Sequence, residues 1–161
     1  MCGRYALAGT YGGDLERRFG LTETLVVHPR YNICPTDDVL VVVADRERRP
    51  RAEAMRWGLV PHWADSPAVG VRMINARVES VATSPAFSPS LRQRRCLVVA
   101  DGFYEWQKAP DAGSVSKQPF HITRSDRAPF AFAGLWARWH DDARDAVLHS
   151  CTIITRAASP Q

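Results

Sequence analysis

Lysine is almost missing from this chain of 161 residues: only Lys108 and Lys117 occur, against nineteen arginines. A planar guanidinium fork suits phosphate and stacks on flat rings, so the imbalance fits an anionic partner. A genome that favours arginine codons would produce the same count. No run of about 18 apolar residues is present, which excludes a helical membrane span. The first twenty residues contain Arg4 but no apolar core, so they do not read as a secretion signal. The four cysteines, at positions 2, 34, 96 and 151, form no CxxC pair. His28, His62, His121, His140 and His149 show no zinc-ligand spacing, so neither a metal nor another cofactor is expected. Repeats, linkers and low-complexity tracts are also missing.

What is present is an ordinary globular composition, 45% apolar with a net charge of +4, at a length that fits one domain over residues 1–161. The balance suits a soluble, monomeric, cytoplasmic protein and is compatible with nucleic acid without demonstrating it. Residues 14–19 place Leu15 and Phe19 on one face of a short helix that Gly20 stops. Residues 39–44 are a valine-rich run, hence a buried strand. Further strands are predicted at 52–59, 96–100, 103–107, 120–123, 130–139 and 147–155, with Asp101-Gly102 as a hairpin or bulge signal. Residues 62–72 and 109–116 read as loops, 75–82 as a helix, and 84–93 as a proline-bounded turn with a short helix. The expected fold is α+β: one compact domain whose curved mixed sheets form a barrel-like core, with a few short helices.

Position 2 is a cysteine directly after the initiator methionine, which is commonly removed when the next residue is small. The mature chain would then begin with Cys2, carrying an α-amine and a thiol on adjacent carbons. An α-amine with a pKa of about 8 is partly neutral at physiological pH. Such a 1,2-aminothiol condenses with an aldehyde, first to an imine and then to a thiazolidine ring. The structural alternative is a chance cysteine at a frayed terminus.

Three further segments could carry chemistry. Asn75 and Arg77 could orient a carbonyl or hydroxyl and clamp a phosphate, or could simply open a helix that carries an Arg77–Glu79 contact. Glu105 lies between Tyr104 and Trp106, where desolvation would raise its pKa towards that of a general acid–base; a solvated strand face is the alternative. Trp57 and Trp63, with Arg56 nearby, could form a platform for unstacked bases or could be core anchors. Arg92, Arg94 and Arg95, and the run 46–51, read equally as basic patches or solvated turns.

Taken together, and in this order, these segments resemble the SRAP family (SOS response-associated peptidase domain), whose members shield abasic sites in single-stranded DNA. The resemblance covers Met1-Cys2-Gly3-Arg4-Tyr5, the Arg30–Pro35 and Met55–Trp63 segments, Ile74-Asn75-Ala76-Arg77-Val78-Glu79, and the stretch from Arg94 to Trp106. It continues through Pro119-Phe120 and residues 130–136 to Thr152-Ile153-Ile154-Thr155. Family members usually carry alanine where Cys34 stands. The resemblance implies that Cys2 forms a thiazolidine crosslink to the ring-opened abasic aldehyde. It further implies that Asn75 positions Cys2 and the deoxyribose, and that Glu105 shuttles protons. Arg4 and Arg77 would hold backbone phosphates, and the segment with Trp57 and Trp63 would bear on flanking DNA. Self-removal of Met1, abasic-site lyase activity, a role in the SOS response and a bacterial, nucleoid-associated location are implied too. The family also carries a histidine, followed by Arg-Met-Pro, after the strand that ends near Thr155; the present sequence ends at Gln161 without it, and no other histidine occupies its place. The domain is therefore expected to lack the family's C-terminal segment here.

Two other readings of the same residues stay open. A terminal Cys-Gly also opens the amidohydrolases of the class II glutamine amidotransferase type, where the thiol attacks an amide. A non-catalytic single-stranded DNA binder would show salt-sensitive affinity without a covalent product.

Overall fold

The computed structural model describes residues 2–9, 11, 13–108 and 117–157; the loop expected at 109–116 lies outside them. In chain order the first elements are β1 (Tyr5–Leu7), α1 (Asp14–Phe19), β2 (Arg30–Ile33), β3 (Asp38–Ala44) and β4 (Pro50–Trp57). Next come β5 (Asn75–Arg77), α2 (Ser88–Gln93), β6 (Arg95–Ala100) and β7 (Gly102–Lys108). The last are β8 (Lys117–Thr123), β9 (Phe130–Asp141) and β10 (Ala146–Thr155).

Two sheets form. One has four antiparallel strands in the order β2-β1-β7-β8. The other has six, in the order β4-β3-β6-β9-β10-β5, and β10 also pairs in parallel with β4 at Cys151↔Trp57. That extra pairing closes β4, β3, β6, β9 and β10 into a five-stranded barrel and leaves β5 on its margin. Closure removes sheet edges that would otherwise expose unpaired backbone groups.

The valine run of β3 is driven into this barrel by its apolar side chains: Val39, Val41, Val42 and Val43 are all buried. The two sheets meet through an aromatic cluster. Tyr5 of β1 lies edge-on to Trp57, with ring centroids 5.3 Å apart, and to Phe132, at 5.8 Å. Helix α1 matches its sequence expectation, ending on Gly20 at φ 67°, where the left-handed backbone favours glycine.

Three expectations need correction. Residues 75–82 are not a helix: Asn75–Arg77 pair with β10, and turns follow. The parallel pairing of Ile153↔Asn75 and Thr155↔Arg77 gives this segment long-range hydrogen bonds that outweigh its local helical preference. Asp101-Gly102 does not make a hairpin, because β6 belongs to the barrel and β7 to the other sheet. The dipeptide is instead where the chain crosses between sheets, and Asp101 fastens the crossing. Its Oδ2 accepts from the N–H groups of Ala8, at 2.6 Å, and Gly9, at 2.9 Å, and from the Tyr11 hydroxyl. Finally, the loop at 62–72 contains a 3-10 helix, Pro67–Arg72, started by Ser66 accepting from the Ala68 N–H.

Candidate active site

Cys2 precedes β1 and is held at the junction of the two sheets. It is 6% exposed. The Asn75 Nδ2 donates to the Cys2 carbonyl at 2.8 Å, across 73 residues of sequence. Asn75 is delivered there by the pairing of β5 with β10 and by a second device. The indole N–H of Trp57 donates to the carbonyl of Ile74, at 2.9 Å, and the Ile153 N–H donates to the same carbonyl at 3.1 Å. The other Asn75 amide atom, Oδ1, is buried and has no partner among the described residues. It is an acceptor facing an interior where unpaired polar atoms are costly.

Glu105 enters from β7. The Tyr104 N–H donates to the Arg4 carbonyl, at 2.9 Å, and Tyr5 faces Phe103, so the same register sets Glu105 opposite Gly3. Its charge reaches the Cys2 thiol. Burial pushes that thiol up to about 11, and the neighbouring Glu105 carboxylate acts in the same direction. At neutral pH the thiol is therefore protonated, and a carboxylate stands near it.

The Arg4 Nη1 donates to Asn32 Oδ1 at 3.1 Å and contacts Cys34 Sγ at 3.2 Å, which pins the guanidinium over β2. Cys34 thus adjoins the site through Arg4, a connection that spacing along the chain does not reveal. Arg77 lies exposed at the end of β5. Nearby, backbone N–H groups, including that of Ala157, hold the Glu79 carboxyl below its usual range, and Arg77 and Arg156 add to this.

The two tryptophans separate. Trp57 is fully buried, which corrects the expectation that it bears on DNA: it is a core anchor that positions the strand carrying Asn75. Trp63 is 53% exposed. Among the arginine clusters, Arg94 lies over the Trp136 ring, 5.7 Å from its centroid, and Arg49 and Arg51 pair with carboxylates. Among the described residues no group of three His, Cys, Asp or Glu side chains could hold a metal ion. No helix there is long and apolar enough to cross a membrane.

Cys2, Asn75 and Glu105, apart by 73 and 30 positions in sequence, are thus assembled at one place. Were Cys2 terminal, its aminothiol, the amide fixing its backbone and the carboxylate beside it would be a set suited to carbonyl condensation with proton transfer.

Comparison with known proteins gives the same grouping. The profile of the SOS response associated peptidase (SRAP) domain matches residues 1–161. The abasic site processing protein YoqW of Bacillus subtilis is 36% identical over 158 residues, covering 96% of this chain and 68% of its own. The abasic site processing protein YedK of Escherichia coli is 35% identical, with 98% and 68% covered. A crystal structure of a phage-related protein from Bordetella bronchiseptica is 33% identical, with a TM-score of 0.72 over 96% of this chain and 69% of its own. A Bacteroides thetaiotaomicron protein shares the fold at a TM-score of 0.82, with 21% identity and coverage of 96% and 68%. This chain belongs to the SOS response associated peptidase family.

Proposed function

We propose that the protein binds single-stranded DNA at abasic sites and joins covalently to the lesion through Cys2, shielding it during the DNA damage response. The reading rests on one observation above all. The second residue of the chain is a cysteine whose carbonyl is fixed by Asn75 and whose thiol senses Glu105. It is supported by relatives named as abasic site processing proteins.

The chemistry follows from two nucleophiles of different strength. With Met1 removed, by the chain's own site or otherwise, the α-amine is the group with a reference pKa of about 8 and reacts first. Its nitrogen attacks C1′ of the ring-opened deoxyribose, and the aldehyde oxygen takes a proton to give a carbinolamine. Loss of water then leaves an imine. The thiol adds to the imine carbon; its proton passes through Glu105 to the nitrogen, and the S–C bond closes a thiazolidine. Aldehyde plus aminothiol gives the ring and one water. At the imine stage, loss of the C2′ proton would instead eliminate the 3′ phosphate, which is the route to lyase activity. Arg4 and Arg77 offer guanidinium groups for phosphates on either side, and Trp63 a face for an unstacked base.

The test is incubation with a single-stranded oligonucleotide carrying one abasic site, followed by denaturing electrophoresis. A Cys2-dependent band that survives denaturation is expected. Salt-sensitive binding without that band would reduce the protein to a non-covalent binder, and release of ammonia from glutamine would move it to the amidohydrolases.

A further inference from the structure

The far end of the four-stranded sheet carries a second feature that the site above does not use. Two cavities, of about 650 and 250 Å3, adjoin there and share Gly9, Tyr11 and Arg127. The larger is lined by Arg17, Arg18 and Arg127 together with Asp14 and Asp126. Its carboxylates are already engaged: Asp126 accepts two hydrogen bonds from Arg124, at 2.9 and 2.7 Å, and Asp14 pairs with Arg17. Arg127 makes no side-chain hydrogen bond or ion pair among the described residues. It sits at φ 56°, a left-handed conformation that glycine adopts more easily, in a turn where its N–H donates to the Arg124 carbonyl at 3.1 Å.

The smaller cavity is aromatic. Tyr31 is 69% exposed and lines it, as does His121, whose ring stacks on Tyr104 with centroids 4.7 Å apart at 25°. His121 lies so close over Gly102 that a Cβ there would be 2.2 Å from its Nε2, so the glycine is what lets the imidazole lie flat. The Tyr104 hydroxyl donates to the Tyr31 backbone carbonyl at 2.8 Å and ties the Tyr104 ring to β2. Flat rings beside Arg127, with Arg18 near enough to Asp126 to lower its carboxyl, are the components of a single-strand binding surface: stacking takes the base and cations take the phosphate. Neither cavity is lined by Cys2, Asn75 or Glu105, so this place is distinct from the Cys2 centre.

We infer that this groove takes a nucleotide of a single strand several positions away from the lesion, with its phosphate on Arg18 and Arg127 and its base against Tyr31 and His121. The inference rests on the reading of the protein as a DNA binder and extends it with a second point of attachment. The groove would orient the strand and add affinity that owes nothing to the lesion.

The probe is a fluorescent, undamaged single-stranded 20-mer, with anisotropy measured across a salt series. Arg18→Glu with Arg127→Glu is expected to weaken binding at least about fivefold at low salt and to flatten the salt slope by about 1, the loss of one to two phosphate contacts. Arg127→Gly guards against misfolding, because glycine suits φ 56° while the cation disappears; it is expected to weaken binding in the same direction with the thermal midpoint kept or raised. Unchanged affinity and slope in both variants would overturn the inference. So would a groove that takes inorganic phosphate in an Arg127-dependent way while the 20-mer binds all variants alike, since that describes a free-anion site. Adduct formation on an abasic oligonucleotide is scored separately, so failure of the Cys2 chemistry is distinguishable from failure of the groove.

Discussion

In the proposed reaction, with Met1 removed, Cys2 carries two nucleophiles that the fold treats differently. Burial and Glu105 raise its thiol to about 11, which delays the sulfur until a base accepts its proton. Cys2→Ser keeps the amine and loses the sulfur, so it is expected to form an imine that borohydride traps but no adduct that survives denaturation without reduction; gel assays with and without reductant check this. Asn75→Ala removes the donor to the Cys2 carbonyl and is expected to slow adduct formation about fivefold to tenfold, equivalent to about 1–1.4 kcal/mol, in single-turnover kinetics. The tryptophans make a paired test. Trp57→Ala is expected to destabilise the fold by about 3–5 kcal/mol in denaturant titration, because a fully buried indole is deleted. Trp63→Ala is expected to leave stability nearly unchanged and to weaken strand binding. Cys2 stood out in the sequence as a candidate because its proposed chemistry depends only on position 2. The core role of Trp57 did not, since an amphipathic ring beside an arginine looks alike in a core and on a surface.

At the scale of elements, sequence reading worked where local chemistry decides and failed where distant partners do. Helix α1 and strand β3 declared themselves through Gly20 and the valine run. The strand at Asn75 did not, because its hydrogen bonds come from β10, about eighty residues later. The Asp101-Gly102 signal was read as a hairpin or bulge, and its carboxylate ties β1 to the crossing between sheets. Asp101→Ala would leave the Ala8 and Gly9 N–H groups and the Tyr11 hydroxyl without their acceptor. A loss of about 2–4 kcal/mol is expected in chemical denaturation, with Asp101→Asn losing less because its oxygen still accepts.

For the whole molecule, three thiols are buried: Cys96 and Cys151 on strands of the barrel closed by β4 and β10, and Cys2 where the two sheets meet. Burial raises Cys96 to about 12 and Cys151 well above its usual value, alongside Cys2 at about 11. Below pH 9 these thiols are protonated in folded and unfolded chains alike, and their burial adds no pH dependence. Above pH 9 the unfolded chain ionises while the folded chain keeps its protons. Stability is then expected to fall by up to about 1.4 kcal/mol per pH unit for each thiol until the folded values are passed. Melting between pH 8 and 11 measures this, and Cys96→Ala should make the decline shallower. Strand β5 on the barrel's margin and β7 of the four-stranded sheet bring Asn75 and Glu105 to Cys2, and the proposed covalent chemistry at the N-terminus is the central claim. Intact mass of the protein after reaction with an abasic single-stranded oligonucleotide tests it most directly. After denaturation without reductant, the expected species weighs the Met1-free chain plus the oligonucleotide less one water, and it vanishes in Cys2→Ala, whose imine hydrolyses. A mixture that contains only the two separate masses, or an adduct that persists in Cys2→Ala, would contradict the account.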